Sequence, residues 1–227
     1  MSENIPLKFI ILGEGNVGKK SILNIFFNKK FIEDEKSTIS PSFYSKTQTY
    51  KGKTYEINFW DTAGQEKFNA INKIYYQNSV GALIVYDVTI PETFEKAKSW
   101  VNTVREIVGK EIIMVIAGNI NNEKINLGFI DKNKANIYVY CQKENCSHFY
   151  ISSETGFNIE ETFNYLITSV LKKASMNPNK WIKRGKGRKL QIKEEYNAQK
   201  KLEQKDEYFN EKRHSKFMRL LNKYINF

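Results

Sequence analysis

The sequence predicts an α/β fold: a doubly wound, mostly parallel, six-stranded sheet with a helical C-terminal extension. Three observations carry this. Short β-rich runs alternate with helical patterns through residue 173. Ala82–Asp87 and Ile112–Gly118 are apolar runs, as strands covered on both faces of a parallel sheet should be. A glycine turn joins the first strand directly to the first helix. Taken in order, Leu7–Leu12 reads as a buried strand and Lys19–Asn28 as the helix after it. Phe43–Tyr50 and Thr54–Asp61 alternate and read as a hairpin joined by Lys51-Gly52-Lys53. Pro91 opens a helix to Val108, with Phe94, Ala97, Val101, Val104 and Val108 on one face. Phe149–Ser152 is a short last strand. Asn158 is expected to cap a helix carrying Ile159, Phe163, Leu166, Ile167 and Val170 at helical spacing.

Composition bounds the function. Apolar residues make up 41% of the 227, enough for a sizeable core, and no run approaches the roughly 20 apolar residues of a membrane span. Met1–Pro6 lacks the pattern of a secretory leader, and two cysteines, Cys141 and Cys146, make no disulfide framework. A reducing, cytoplasmic setting is expected. Net charge is +11, distributed unevenly: residues 1–173 hold 21 basic against 19 acidic side chains, and residues 174–227 hold 15 against 6. The expected division is therefore a domain at 1–173 and a basic, partly helical extension at 174–227. Asn177-Pro178-Asn179 marks the junction.

Gly13-Glu14-Gly15-Asn16-Val17-Gly18-Lys19 lies between the first strand and the first helix. Glycines there let backbone N–H groups turn around a phosphate, the helix N-terminus adds a favourable dipole, and Lys19 adds charge. The alternative is a glycine turn that matches by chance. A second motif, Trp60-Asp61-Thr62-Ala63-Gly64-Gln65-Glu66, ends the third strand. With Ser37–Phe43, Tyr75-Tyr76 and Val85-Tyr86-Asp87-Val88-Thr89, it makes residues 5–173 resemble the Ras-like small GTPases, and the Rab family most closely.

The resemblance implies a phosphate-loop G domain that binds GTP or GDP with Mg²⁺. Gly13, Gly15, Asn16, Val17 and Gly18 would cradle the phosphates, Lys19 would meet the β- and γ-phosphates, and Lys20 and Ser21 would adjoin them. Thr38 would bind Mg²⁺ and sense the γ-phosphate, Asp61 would hold the ion through water, Gly64 would contact the γ-phosphate, and Gln65 would orient the attacking water. Phe31 would stack on guanine, which Asn119, Asn122, Ser152 and Ser153 would surround. Phe43, Trp60 and Tyr75 match the aromatic triad that Rab proteins present to effectors; core packing is the other reading of these three.

Three departures bear on activity. The family carries Ser or Thr after the loop lysine, where its hydroxyl binds Mg²⁺; this chain has Lys20. An ammonium donates and has no lone pair, so it cannot ligate a cation. Ser21 lies about 100° further round the helix. Lys20 either swings to solvent or brings its charge into the metal site, and both predict weakened Mg²⁺ dependence and poor hydrolysis. Where the family reads guanine with Asn-Lys-x-Asp, this chain has Asn119-Ile120-Asn121-Asn122. The Asn122 amide offers guanine one acceptor beside a mismatched donor, at about 1–3 kcal/mol. At the last motif the family's Ser-Ala-Lys is Ser152-Ser153-Glu154, a reversal of charge. Two functional readings follow: a Rab-like switch with weak hydrolysis, or a pseudo-GTPase subunit of a cytoskeletal, ciliary or other large assembly.

Rab proteins are held on membranes by prenylated C-terminal cysteines, whereas no cysteine follows Cys146 here, so anchoring by prenylation is not expected. Six basic residues lie within Lys180–Lys189, around Trp181 and Ile182. Glu194–Phe227 is a charged helical pattern with Phe217, Leu220, Leu221, Tyr224 and Ile225 on one side. A solvated extension, an anionic membrane and an acidic protein surface are the readings of this tail. Nucleic acid is not expected, since no base-reading motif accompanies the charge. Cys141, Cys146 and His148 suggest a zinc site only weakly, because the spacing is unusual and a fourth ligand is missing.

Overall fold

The computed structural model describes residues 4–27, 42–61, 76–120 and 127–176. Among them lie six strands in one sheet and four helices. The strands are β1 (Ile5–Leu12), β2 (Ser42–Tyr50), β3 (Lys53–Asp61), β4 (Gly81–Asp87), β5 (Ile113–Asn119) and β6 (Ser147–Ile151). The helices are α1 (Lys19–Phe26), α2 (Pro91–Val108), α3 (Leu127–Lys143) and α4 (Ile159–Met176). The sheet order is β2-β3-β1-β4-β5-β6, with every pairing parallel except β2 with β3. This is the doubly wound sheet that the apolar runs required. Its order reverses between β1 and β4, and in such sheets ligands bind beyond the strand ends at that point.

Alternation along β1 divides the core. Leu7, Phe9 and Ile11 face α1 and α4, joined by Ile57 and Phe59 of β3 and by Leu83 and Val85 of β4. Ile22 and Leu23 of α1 and Phe163, Leu166, Ile167 and Val170 of α4 close over them, all buried. Aromatic rings fill the centre: Phe9 stacks on Phe59 at 4.9 Å between centroids, and Phe26 stacks on Phe163 at 4.1 Å. Gly81 makes room for Phe9, since a Cβ there would stand 2.6 Å from its ring. On the opposite face Ala97, Val101 and Val104 of α2 are buried, and Phe94 packs on Tyr86 of β4 at 5.0 Å. Pro91 occupies the first turn of α2 and Gly109 follows its end at φ 99°, the start and stop the sequence predicts.

Several boundaries differ from expectation for local reasons. The hairpin turn is two residues long, with Tyr50 paired to Lys53 and both Lys51 (φ 47°) and Gly52 (φ 73°) left-handed. That is the turn geometry matching strand twist, although a lysine takes a place usually held by Asn or Gly. Asn158 does not cap α4 with its side chain: its φ is 57°, and its amide instead donates to the Tyr150 carbonyl at 2.9 Å. Helix α3 has no clear apolar stripe to announce it. Ile137 and Cys141 are buried one turn apart, yet Tyr138 and Val139 are each 64% exposed. The last helix runs to Met176, directly before Asn177-Pro178-Asn179. The chain divides into units Met1–Gly185 and Lys186–Phe227, and the described residues all belong to the first.

Candidate functional site

The loop between β1 and α1 lies at the sheet's reversal point, and its backbone geometry depends on glycine at two positions. Gly13 has φ 144°, and a Cβ there would stand 2.2 Å from the Val85 carbonyl oxygen of β4. Gly18, at φ 91°, precedes α1, and a Cβ there would stand 2.6 Å from Asn119 Nδ2. No side chain caps α1, and its first turn carries no acidic residue. Its N-terminal amides and Lys19 thus face the loop without a carboxylate on their own helix, an arrangement suited to an anion.

Lys19 is buried and turned back across the loop. Its Nζ donates to the carbonyls of Gly13 at 2.8 Å and Glu14 at 2.6 Å, fixing the ammonium at the mouth. Lys20 is half-buried beside it. Asp61, at the end of β3, stands next to Ile11 of β1 and is 1% exposed. Its Oδ1 has no hydrogen-bond partner. Burial pushes its pKa up to about 6, against the opposing fields of Lys19 and Lys20. An orphaned buried carboxylate oxygen of this kind suits a cation or a cation's water. The neighbouring position does not: a hydroxyl ligand for Mg²⁺ is replaced by an ammonium without a lone pair. The hydroxyl that follows the loop lysine in the family is thus not among this chain's candidate ligands.

The base end is built around Asn119. Its Nδ2 donates to the Val17 carbonyl at 3.0 Å and to Ser153 Oγ at 2.9 Å, while its Oδ1 accepts from the Ser153 N–H at 2.9 Å. One side chain therefore ties the phosphate loop, the end of β5 and the loop after β6 together. Ser152 is buried, and its Oγ accepts from the N–H groups of Glu154 and Thr155 at 3.3 and 3.2 Å, holding the turn. Glu154 is exposed. Asp87, beyond β4, accepts from the N–H and hydroxyl of Thr89 at 2.8 and 2.6 Å.

The structure thus brings Gly13, Gly15, Asn16, Val17, Gly18, Lys19, Lys20, Asp61, Asn119, Ser152 and Ser153 to one end of the sheet, with Ser21 following on α1. Phe31, Thr38, Gly64, Gln65, Tyr75 and Asn122 lie outside the described residues, as does the side chain of Phe43. One expectation needs correction. Trp60 is 1% exposed, with the Lys8 ammonium 4.9 Å from its ring centroid, so in this conformation it packs in the core and presents no surface to a partner. Cys141 and Cys146 are free thiols whose pKa values burial raises to about 11 and about 12. Among the described residues no group of three or more His, Cys, Asp or Glu side chains converges as a metal site. His148 instead bonds Tyr86 Oη at 3.0 Å, in a buried polar cluster that a Cβ on Gly118 would strike. The sequence did not disclose that cluster, nor the polar pair Lys8 and Asn58, in register on β1 and β3 and both buried. Their only signal is polar residues at positions of otherwise apolar strands.

Residues 8–172 match the model of the Ras family. Ras-related protein RabH of Dictyostelium discoideum is 34% identical over 79% of this chain and 88% of its own length. GTP-binding protein YPT53 of Saccharomyces cerevisiae is 38% identical over 71% of this chain and 75% of its own. Ras-related protein Rab-21 of Homo sapiens is 36% identical over 75% and 74%. With the phosphate loop, Lys19, Asp61 and Asn119 gathered at the reversal point of a six-stranded sheet, the chain belongs to the Ras family of small GTPases, among its Rab-type members.

Proposed function

We propose that this protein is a Rab-type GTP-binding protein that holds guanine nucleotide, hydrolyses GTP weakly and acts through protein partners of its switch segments. The observation that carries the reading is the contrast at the phosphate end: glycine geometry and Lys19 are kept, while the metal-ligand position is Lys20. Weakened Mg²⁺ binding follows from the missing lone pair, and slow hydrolysis from the loss of an ion that would bridge the β- and γ-oxygens. Ser37–Phe43 and Tyr75 are the proposed partner contacts; Trp60 would join them only on leaving the core. The basic segment 180–227 is proposed to dock on an acidic protein surface in the cytoplasm, with anionic membrane as the competing partner.

A second reading, a pseudo-GTPase fixed in a cytoskeletal or ciliary assembly, draws support from the same Lys20 and from the charge held in the last quarter of the chain. Nucleotide released by denaturing the purified protein, followed by exchange and single-turnover hydrolysis, separates the two. GDP or GTP that exchanges, with hydrolysis well below that of Rab-type relatives, supports the switch. Nucleotide that never exchanges supports the fixed subunit. Brisk Mg²⁺-dependent turnover would refute the weakened site, and absence of any nucleotide would refute guanine binding.

A further inference from the structure

Resting on the nucleotide-binding reading above, we propose that Lys20 is the site's own cation: its ammonium takes the place of Mg²⁺ between Asp61 and the bound phosphates, so that nucleotide binding does not require a metal.

Four features place it there. Lys20 sits in the first turn of α1, immediately after the lysine that faces the phosphates, at the position from which the family's hydroxyl reaches its ion. It is half-buried, so part of the side chain is covered by protein. Asp61 is buried at the end of β3 with one carboxylate oxygen lacking a hydrogen-bond partner, and an ammonium with three donors is suited to supply one. The charge of Lys20, like that of Lys19, acts on the Asp61 carboxyl against the effect of burial.

The chemistry of an ammonium also sets the limits of the site. It neutralises phosphate charge and bonds an oxygen, as the ion does. It does not hold water in an octahedral shell, and it does not chelate two phosphate oxygens rigidly. The site is therefore suited to retention more than to turnover. Its occupancy should be indifferent to free Mg²⁺ and to chelators.

The test is the affinity of nucleotide-stripped full-length protein for GDP and for inorganic pyrophosphate, measured calorimetrically in millimolar Mg²⁺ and again in EDTA. The wild type is expected to bind with less than about a threefold difference between the two conditions. Lys20→Met, which keeps the stem and removes the charge, is expected to lose about tenfold or more in both. Lys20→Ser is expected to recover tight GDP binding in Mg²⁺ alone, and to hold Mn²⁺ detectable by electron paramagnetic resonance where the wild type holds none. Wild-type GDP binding that collapses in EDTA overturns the inference while leaving guanine binding intact. So does Lys20→Met binding as tightly as wild type. Pyrophosphate bound independently of metal, and lost in Lys20→Met, upholds the inference even where GDP fails through the base. Binding of neither overturns both readings.

Discussion

The phosphate end and the base end of the site depart from the family in opposite ways. At the phosphate end the supporting geometry is kept, with Gly13 against Val85 and Gly18 against Asn119, and the change falls on a ligand contact, Lys20. At the base end the kept residue, Asn119, spends both amide hydrogens and its carbonyl on Val17 and Ser153. There the positions that depart from the family's pattern are Ile120, Asn122 and an exposed Glu154. Residues that brace the fold match the family's pattern at both ends, and the departures fall at positions the family uses for its ion and base.

That contrast is sharpened by breaking each side separately. Lys19→Met should have the largest effect on binding, lowering GDP affinity about a hundredfold or more in equilibrium titration, because charge-assisted bonds to phosphate and the anchor to Gly13 and Glu14 go together. Asn119→Ala should cost about 2–4 kcal/mol in urea unfolding, since it leaves the Val17 carbonyl and the Ser153 N–H without their partner. A stability loss confined to a few tenths of a kcal/mol would mean that the brace is ornamental. Gly18→Ala should cost about 1–3 kcal/mol through its left-handed φ and the contact with Asn119. Gly15→Ala, with nothing within 4 Å of the added Cβ, should leave the melting temperature of the ligand-free protein nearly unchanged.

A further effect concerns pH, and its probe, His148, lies away from the phosphate loop. Burial holds His148 at a pKa of about 4, below its ordinary 6.5. Between these values the unfolded chain binds a proton that the native protein does not, so His148 lowers stability as pH falls from about 6.5 to 4. Asp61, raised from 3.8 to about 6, works the other way: the native protein binds the extra proton, and stability is lost as pH rises through 6. From about pH 4 to 6 the two nearly cancel. In His148→Gln the Asp61 contribution stands alone, so the ligand-free variant should grow more stable on acidification across that window, by a slope of about one proton relative to wild type. An unchanged slope would show that His148 titrates normally.

The sheet, the phosphate loop and the last helix were legible because each rests on a local rule: apolar runs for strands covered on both faces, glycine before a helix, a 3.6-residue apolar period. What was not legible depends on partners distant in sequence. Trp60 reads equally well as a surface aromatic or a core one, and only the approach of Lys8 and the covering chain decides it. Asn119 is identifiable from its motif, yet its use as a brace between residues 17 and 153 requires the fold. Helix α3 was missed because Tyr138 and Val139 break its apolar face. Asn158 misled because it stands at φ 57° with its amide donating to the Tyr150 carbonyl, so that β6, and not the first turn of the helix, holds its side chain.

The most direct test of a resident cation is a crystal structure of the wild-type protein with GDP, grown in millimolar Mg²⁺. Lys20 Nζ should lie within hydrogen-bonding distance of both a phosphate oxygen and the Asp61 carboxylate, with no metal between them. An octahedral magnesium ion at that place, with Lys20 turned out to solvent, would contradict the account.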